Sequence, residues 1–94
     1  MSISRSDIIE STAGRDKGRL FYVLETDGEY AIIADGKIRK LEKPKRKKLK
    51  HLRLAARPES HVADKIRNGE VVLNSELRRD LAIQTLQSPN QGGD

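Results

Sequence analysis

The stretch Leu20-Phe21-Tyr22-Val23-Leu24-Glu25-Thr26-Asp27-Gly28-Glu29-Tyr30-Ala31-Ile32-Ile33-Ala34-Asp35-Gly36-Lys37-Ile38-Arg39-Lys40-Leu41 carries the architecture of the chain. Two Asp-Gly dipeptides eight residues apart divide it into three apolar runs: Leu20–Leu24, Tyr30–Ala34 and Ile38–Leu41. Asp-Gly readily adopts the positive φ angles of a type I′ turn, whose twist matches that of paired strands. The spacing predicts a three-stranded antiparallel meander with strands near 18–26, 29–35 and 37–42.

Working outward, Asp7-Ile8-Ile9-Glu10-Ser11 reads as an earlier strand, followed by a loop from Thr12 to Gly18. Leu49-Lys50-His51-Leu52-Arg53-Leu54 reads as a fifth, set off by Lys43-Pro44-Lys45, because proline cannot donate to a central ladder. Five short strands in about fifty residues suggest a small barrel, since closure removes exposed edges. The composition shifts after Arg57-Pro58. Ser60 can cap a helix over 61–68 with Gly69 as its stop, and Asn74 or Ser75 can cap a second over 76–86. Leu77, Leu81 and Leu86 form its apolar stripe, expected to cover the open side of the barrel. The fold expected is mainly β: a small SH3-like barrel at 1–56, a helical extension at 57–87, and a disordered tail at 88–94 with nothing to bury.

Composition narrows the function. The chain has 94 residues, 35% of them hydrophobic and 35% charged, so the core is thin. With no cysteine, disulfide scaffolds, thiolate zinc sites and cysteine nucleophiles are excluded. No apolar run reaches the roughly 18 residues a membrane helix needs, and the N-terminus lacks a secretory pattern, so a cytoplasmic protein is expected. His51 and His61 sit ten residues apart without further metal-ligand spacing, and no serine nucleophile context is present. Neither catalysis nor a cofactor, metal or small-molecule substrate is expected.

The charge is concentrated. Residues 1–36 sum to −3 and residues 54–94 to −1, whereas residues 37–53 hold ten cations against Glu42 alone, for +9. Six cations fall within the eight residues Lys43–Lys50. Such a block raises a strong local field and favours a polyanion, whose condensed counterions are released on binding. Lys37, Arg39, Lys40, Lys43, Lys45, Arg46, Lys47, Lys48, Lys50 and His51 are the candidate contacts, against the plain alternative of a solvated charge run. The three aromatics lie on expected strands, so serial base stacking is not expected and backbone or shape recognition is.

Gly14-Arg15-Asp16-Lys17-Gly18-Arg19 adds three cations on a tight connection. It is not a nucleotide P-loop, which needs four residues between its glycines and Lys-Ser/Thr after the second. This hexapeptide, followed by an apolar strand, an Asp-Gly turn and another apolar strand, resembles the KOW motif of ribosomal proteins and NusG-type elongation factors. Lys17-Gly18 matches its basic-glycine hallmark, and Phe21 and Val23 its alternating apolar positions. Through Asp35–Leu41 and Lys45–Leu52 the chain is similar to small bacterial KOW-domain RNA-binding proteins related to archaeal and eukaryotic large-subunit ribosomal proteins. Phe21 departs from the motif, where a small residue is common, and 58–87 has no counterpart in it.

The resemblance implies an SH3-like barrel that binds structured RNA, above all ribosomal RNA at or near the large subunit, with a ribosomal-protein neighbour as a further partner. It points to Arg15, Lys17 and Arg19 as RNA contacts. Gly14, Gly18, Gly28 and Gly36 are read as structural turn residues. A KOW-type protein-interaction module and a nonspecific polyanion binder are the competing readings.

Overall fold

The computed structural model describes residues 2–87, with side chains through Thr85. The tail 88–94 and the side chain of Leu86 lie outside the described residues. The chain is mainly β: β1 (Ile8–Ser11), β2 (Leu20–Asp27), β3 (Tyr30–Ala34), β4 (Lys45–Lys48), a single 3-10 turn (Leu49–His51) and β5 (Leu52–Ala56). Two helices follow, α1 (His61–Asn68) and α2 (Asn74–Gln87). The strands form one antiparallel sheet in the order β4-β3-β2-β1-β5.

Side chains on a strand alternate between faces, and here both faces are buried. Ile9, Phe21, Val23, Ala31, Ile33 and Leu52 form one apolar cluster. Leu52 comes from the edge strand farthest from β4, so the sheet curls around this cluster. Ile8, Tyr22 and Ala34, on the opposite face, meet Val62, Ala63 and Ile66 of α1 and Leu77 and Leu81 of α2. Although β4 and β5 are joined by the 3-10 turn, no ladder pairs them, and the sheet is open rather than a closed barrel.

Several expectations are corrected. The β2–β3 hairpin pairs Asp27 with Tyr30, so its loop residues are Gly28-Glu29, with positive φ at Gly28 alone. That is the II′ pattern, glycine first, rather than Asp-Gly in a I′ turn. Residues 37–42 are not a strand. Asp35 Oδ1 accepts from the backbone N–H groups of Lys37 and Arg39 at 2.9 and 2.8 Å, and the Asp35 N–H donates to the Arg39 carbonyl at 2.8 Å. These bonds wrap the backbone into a compact turn where a ladder would need it extended.

The partner of β3 is instead the lysine-rich segment 45–48, in register from Ile33–Lys45 to Tyr30–Lys48. The fifth strand begins at Leu52, because 49–51 form the 3-10 turn.

In α1, Ser60 Oγ accepts from the Ala63 N–H at 3.0 Å and Gly69 closes the helix in the left-handed conformation. In α2 neither Asn74 nor Ser75 caps the first turn. The first helical bonds end on the Leu73 carbonyl, and Glu76 Oε1 accepts from the Leu73 N–H at 2.9 Å, the carboxylate half of a capping box. Asn74 faces the connector between β3 and β4: its Oδ1 accepts from the Leu41 N–H at 2.8 Å, and its Nδ2 donates to Glu42 at 2.6 Å.

Candidate nucleic-acid interface

Two irregular segments leave the same end of the sheet: the loop 12–19 between β1 and β2, and the connector 35–44 between β3 and β4. They are cross-linked by charge. Arg39 donates to Asp16 Oδ2 from Nε at 3.3 Å and Nη2 at 3.0 Å, and Arg19 lies 3.8 Å from Asp35. Asp16 and Asp35 are both buried, so each carboxylate gives its loop an internal anchor. Lys47 adds a third link. Its Nζ donates to Ser11 Oγ and to the Ala13 carbonyl, both at 2.8 Å, joining β4 to the start of the first loop. The Thr12 N–H donates to the His51 carbonyl at 2.8 Å, which ties the last residue of the 3-10 turn to the first loop.

These links divide the expected contacts into two groups. Arg39 and Lys47 hold the loops in place, and Arg19 is drawn to Asp35. Arg46 lies over the Tyr30 ring at 3.7 Å and 3.6 Å from Asp27, while Arg53 is paired with Glu10 at 2.6 Å. The Glu10 bond holds the Arg53 guanidinium above its ordinary range. Among the described residues, the side chains of Arg15, Lys17, Lys37, Lys40, Lys43, Lys45, Lys48 and Lys50 have no acidic or hydrogen-bonding partner, and all are exposed. Arg15 and Lys17 sit on the first loop, and Lys37, Lys40 and Lys43 on the connector. The ladder puts Lys45 opposite Ile33, next to the connector, whereas Lys48 pairs with Tyr30 at the far end of β4. His51 is half-buried and is held by its backbone.

Gly14, Gly18, Gly28 and Gly36 all have positive φ. Gly36 is the most constrained: it is buried, and a Cβ there would overlap the backbone carbonyl of Asn74. The connector thus rests directly on the start of α2, and Arg78 reinforces the contact by donating to the Gly36 carbonyl at 2.7 Å. Sequence reasoning placed neither Asn74 nor Arg78 near the basic loops, because both lie on a helix whose exposed face carries no pattern pointing there. Ile38 stands 54% exposed on the connector, among Lys37, Arg39 and Lys40.

Among the described residues no group of three His, Asp or Glu side chains could hold a metal, and no helix is long and apolar enough to cross a membrane. No protein-family model matches the chain, and no curated protein sequence matches it significantly.

Proposed function

We propose that this chain is a non-enzymatic RNA-binding protein, a partly open SH3-like module of the KOW type that recognises structured RNA, with ribosomal RNA of the large subunit as the favoured target. The observation that carries the reading is the set of cations on the first loop and the connector with no partner among the described residues, held side by side by the Asp16–Arg39 and Asp35–Arg19 links. Like charges gathered on anchored loops are poised for phosphate oxygens, and the anchoring reduces the ordering that binding would require. The strand order and the curl of the sheet around Phe21, Ile33 and Leu52 support a barrel-like module. The aromatics favour folded over single-stranded RNA: Phe21 and Tyr22 are buried, and Tyr30 lies beneath Arg46, so no open stacking platform is present among the described residues.

The test is the salt dependence of affinity for a large-subunit ribosomal RNA fragment. Each phosphate contact contributes about 0.7–0.9 to the slope of log affinity against log salt. Replacing Lys17, Lys37, Lys40, Lys43 and Lys45 together by Gln is expected to reduce the slope by about 3.5–4.5 and the affinity at least 100-fold. Arg53→Gln, which removes a cation already paired with Glu10, is expected to change the slope by less than one. An unchanged slope in the five-residue variant rules out this face. Migration at the top of a sucrose gradient with and without ribonuclease, at low and moderate salt, rules out the ribosomal target.

A further inference from the structure

An open cleft of about 780 Å³ lies where α2 crosses the root of the connector. Arg19, Lys37 and Arg78 stand around it, with Glu10 and Asp35 as its acids, and Leu20, Leu81 and Ala82 form an apolar wall. Glu10 is committed elsewhere, and Asp35 divides its oxygens between the connector backbone and Arg19. Glu10 binds Arg53 at 2.6 Å, and Asp35 Oδ1 holds the connector backbone. The cations are freer. The Lys37 ammonium has no partner among the described residues, and Arg78 uses Nη1 on the Gly36 carbonyl, leaving the rest of its guanidinium fork open. Arg19 is 3.8 Å from Asp35 and 42% exposed.

We infer that this cleft receives a single unstacked nucleotide of the bound RNA, with its phosphate on Arg19, Lys37 and Arg78 and its base against Leu20, Leu81 and Ala82. The inference rests on the RNA-binding reading and extends it to a specificity site. A small anion alone would leave the apolar wall uncovered, and an uninterrupted helix would reach the cations without entering. A nucleotide carries both chemistries, and the volume falls within the usual 300–1,000 Å³ of ligand pockets. No aromatic lines the cleft, so the base packs on the aliphatic wall while the guanidinium groups take the phosphate. Arg19 and Lys37 lie next to the exposed cations Lys17 and Lys40 on the same two loops, so a strand tracking the loops passes the mouth of the cleft. Recognition would then favour helices interrupted by a bulge.

The experiment compares affinities of the intact chain for an RNA hairpin with a single-nucleotide bulge and for the same hairpin without it. The chain is expected to prefer the bulged form by about tenfold, in line with burying part of one base against an apolar wall. Ala82→Trp fills the cleft from an exposed position on α2, and Thr85→Trp does so one turn further along, should the first variant not fold. Either is expected to bring the preference close to one. Equal affinity of the native chain for both hairpins, or a preference that survives both tryptophans, overturns the nucleotide site while leaving RNA binding intact. Failure to bind either hairpin overturns both readings. A phosphoserine peptide that shifts the amide resonances of Arg19, Lys37 and Ala82 when the bulged hairpin does not would assign the cleft to a protein partner instead.

Discussion

Tyr22 is fully buried, yet its hydroxyl is satisfied by two helices at once: it bonds Asp80 of α2 and lies 3.2 Å from Ser60 Oγ at the start of α1. Ser60 Oγ also donates to Asp80 at 2.9 Å, so three side chains close a small buried network. Burial, and after it the Asp80 hydrogen bond, push the phenol well above its ordinary pKa of 10.0. The contribution of Tyr22 to stability is therefore complete below about pH 10 and lost as pH rises towards the raised folded value. Tyr22→Phe leaves Asp80 and Ser60 without the phenol and is expected to cost about 1–3 kcal/mol at pH 7. Urea titrations at pH 7 and above pH 10 should show this penalty narrowing in the alkaline range. Gly36 gives a second single-residue test. Gly36→Ala combines a left-handed φ of +80° with overlap on the Asn74 backbone, whereas Gly18→Ala has φ +87° but open space around the new methyl. Both are strained, about 1–2 kcal/mol from backbone conformation alone. Gly36→Ala should be the more destabilising of the two by urea midpoint.

Among the elements, β4 is the least apparent from sequence. Lys45-Arg46-Lys47-Lys48 has no apolar alternation, and lysine is depleted in strands. It forms an edge strand all the same, because pairing with β3 satisfies its backbone and the charges deter edge-to-edge association. Its alternation is carried by partners instead: Lys47 reaches the first loop, while Arg46 covers Tyr30 on the other face. Lys47→Met is expected to raise amide exchange in residues 12–18 by about tenfold, reflecting the loss of two hydrogen bonds, with a smaller effect on β2. Helix α2 holds a pH response of opposite sign to that of Tyr22. The hydrogen bond from Lys65, and next that from the Leu73 N–H, hold Glu76 below its ordinary 4.5. Its contribution is present above that value and lost as pH falls through the lowered folded pKa. Glu76→Gln should flatten the fall in Tm between pH 6 and 3.

At the scale of the whole molecule, the sheet is a shared wall between two apolar clusters, one inside its curl and one beneath the helices. Leu77 is fully buried in the second and anchors α2 against Ile8 and Tyr22. Leu77→Ala is expected to cost about 2–5 kcal/mol, a large share of the stability of so small a domain. Because α2 also supports Gly36 and Leu41, the connector should loosen with it. The affinity for RNA should then fall along with the denaturation midpoint, although Leu77 itself is fully buried.

The sequence by itself determined the local features that neighbouring residues enforce. The β2–β3 hairpin follows from Asp27-Gly28 between two apolar runs, helix α1 from Ser60 and Gly69, and the basic field from the cations of 37–53. Tertiary structure decided what depends on partners distant in the chain. It made 45–48 a strand, because β3 leaves an edge to be paired, and it set the 37–42 turn in place by packing Gly36 and Leu41 on Asn74. It also sorted the cations, committing Arg39 to Asp16, Lys47 to Ser11 and Ala13, and Arg53 to Glu10, while leaving Lys17, Lys37, Lys40, Lys43 and Lys45 without a partner among the described residues. A charge in the sequence records its sign alone; its partner is set by the fold that brings separate segments within hydrogen-bonding distance.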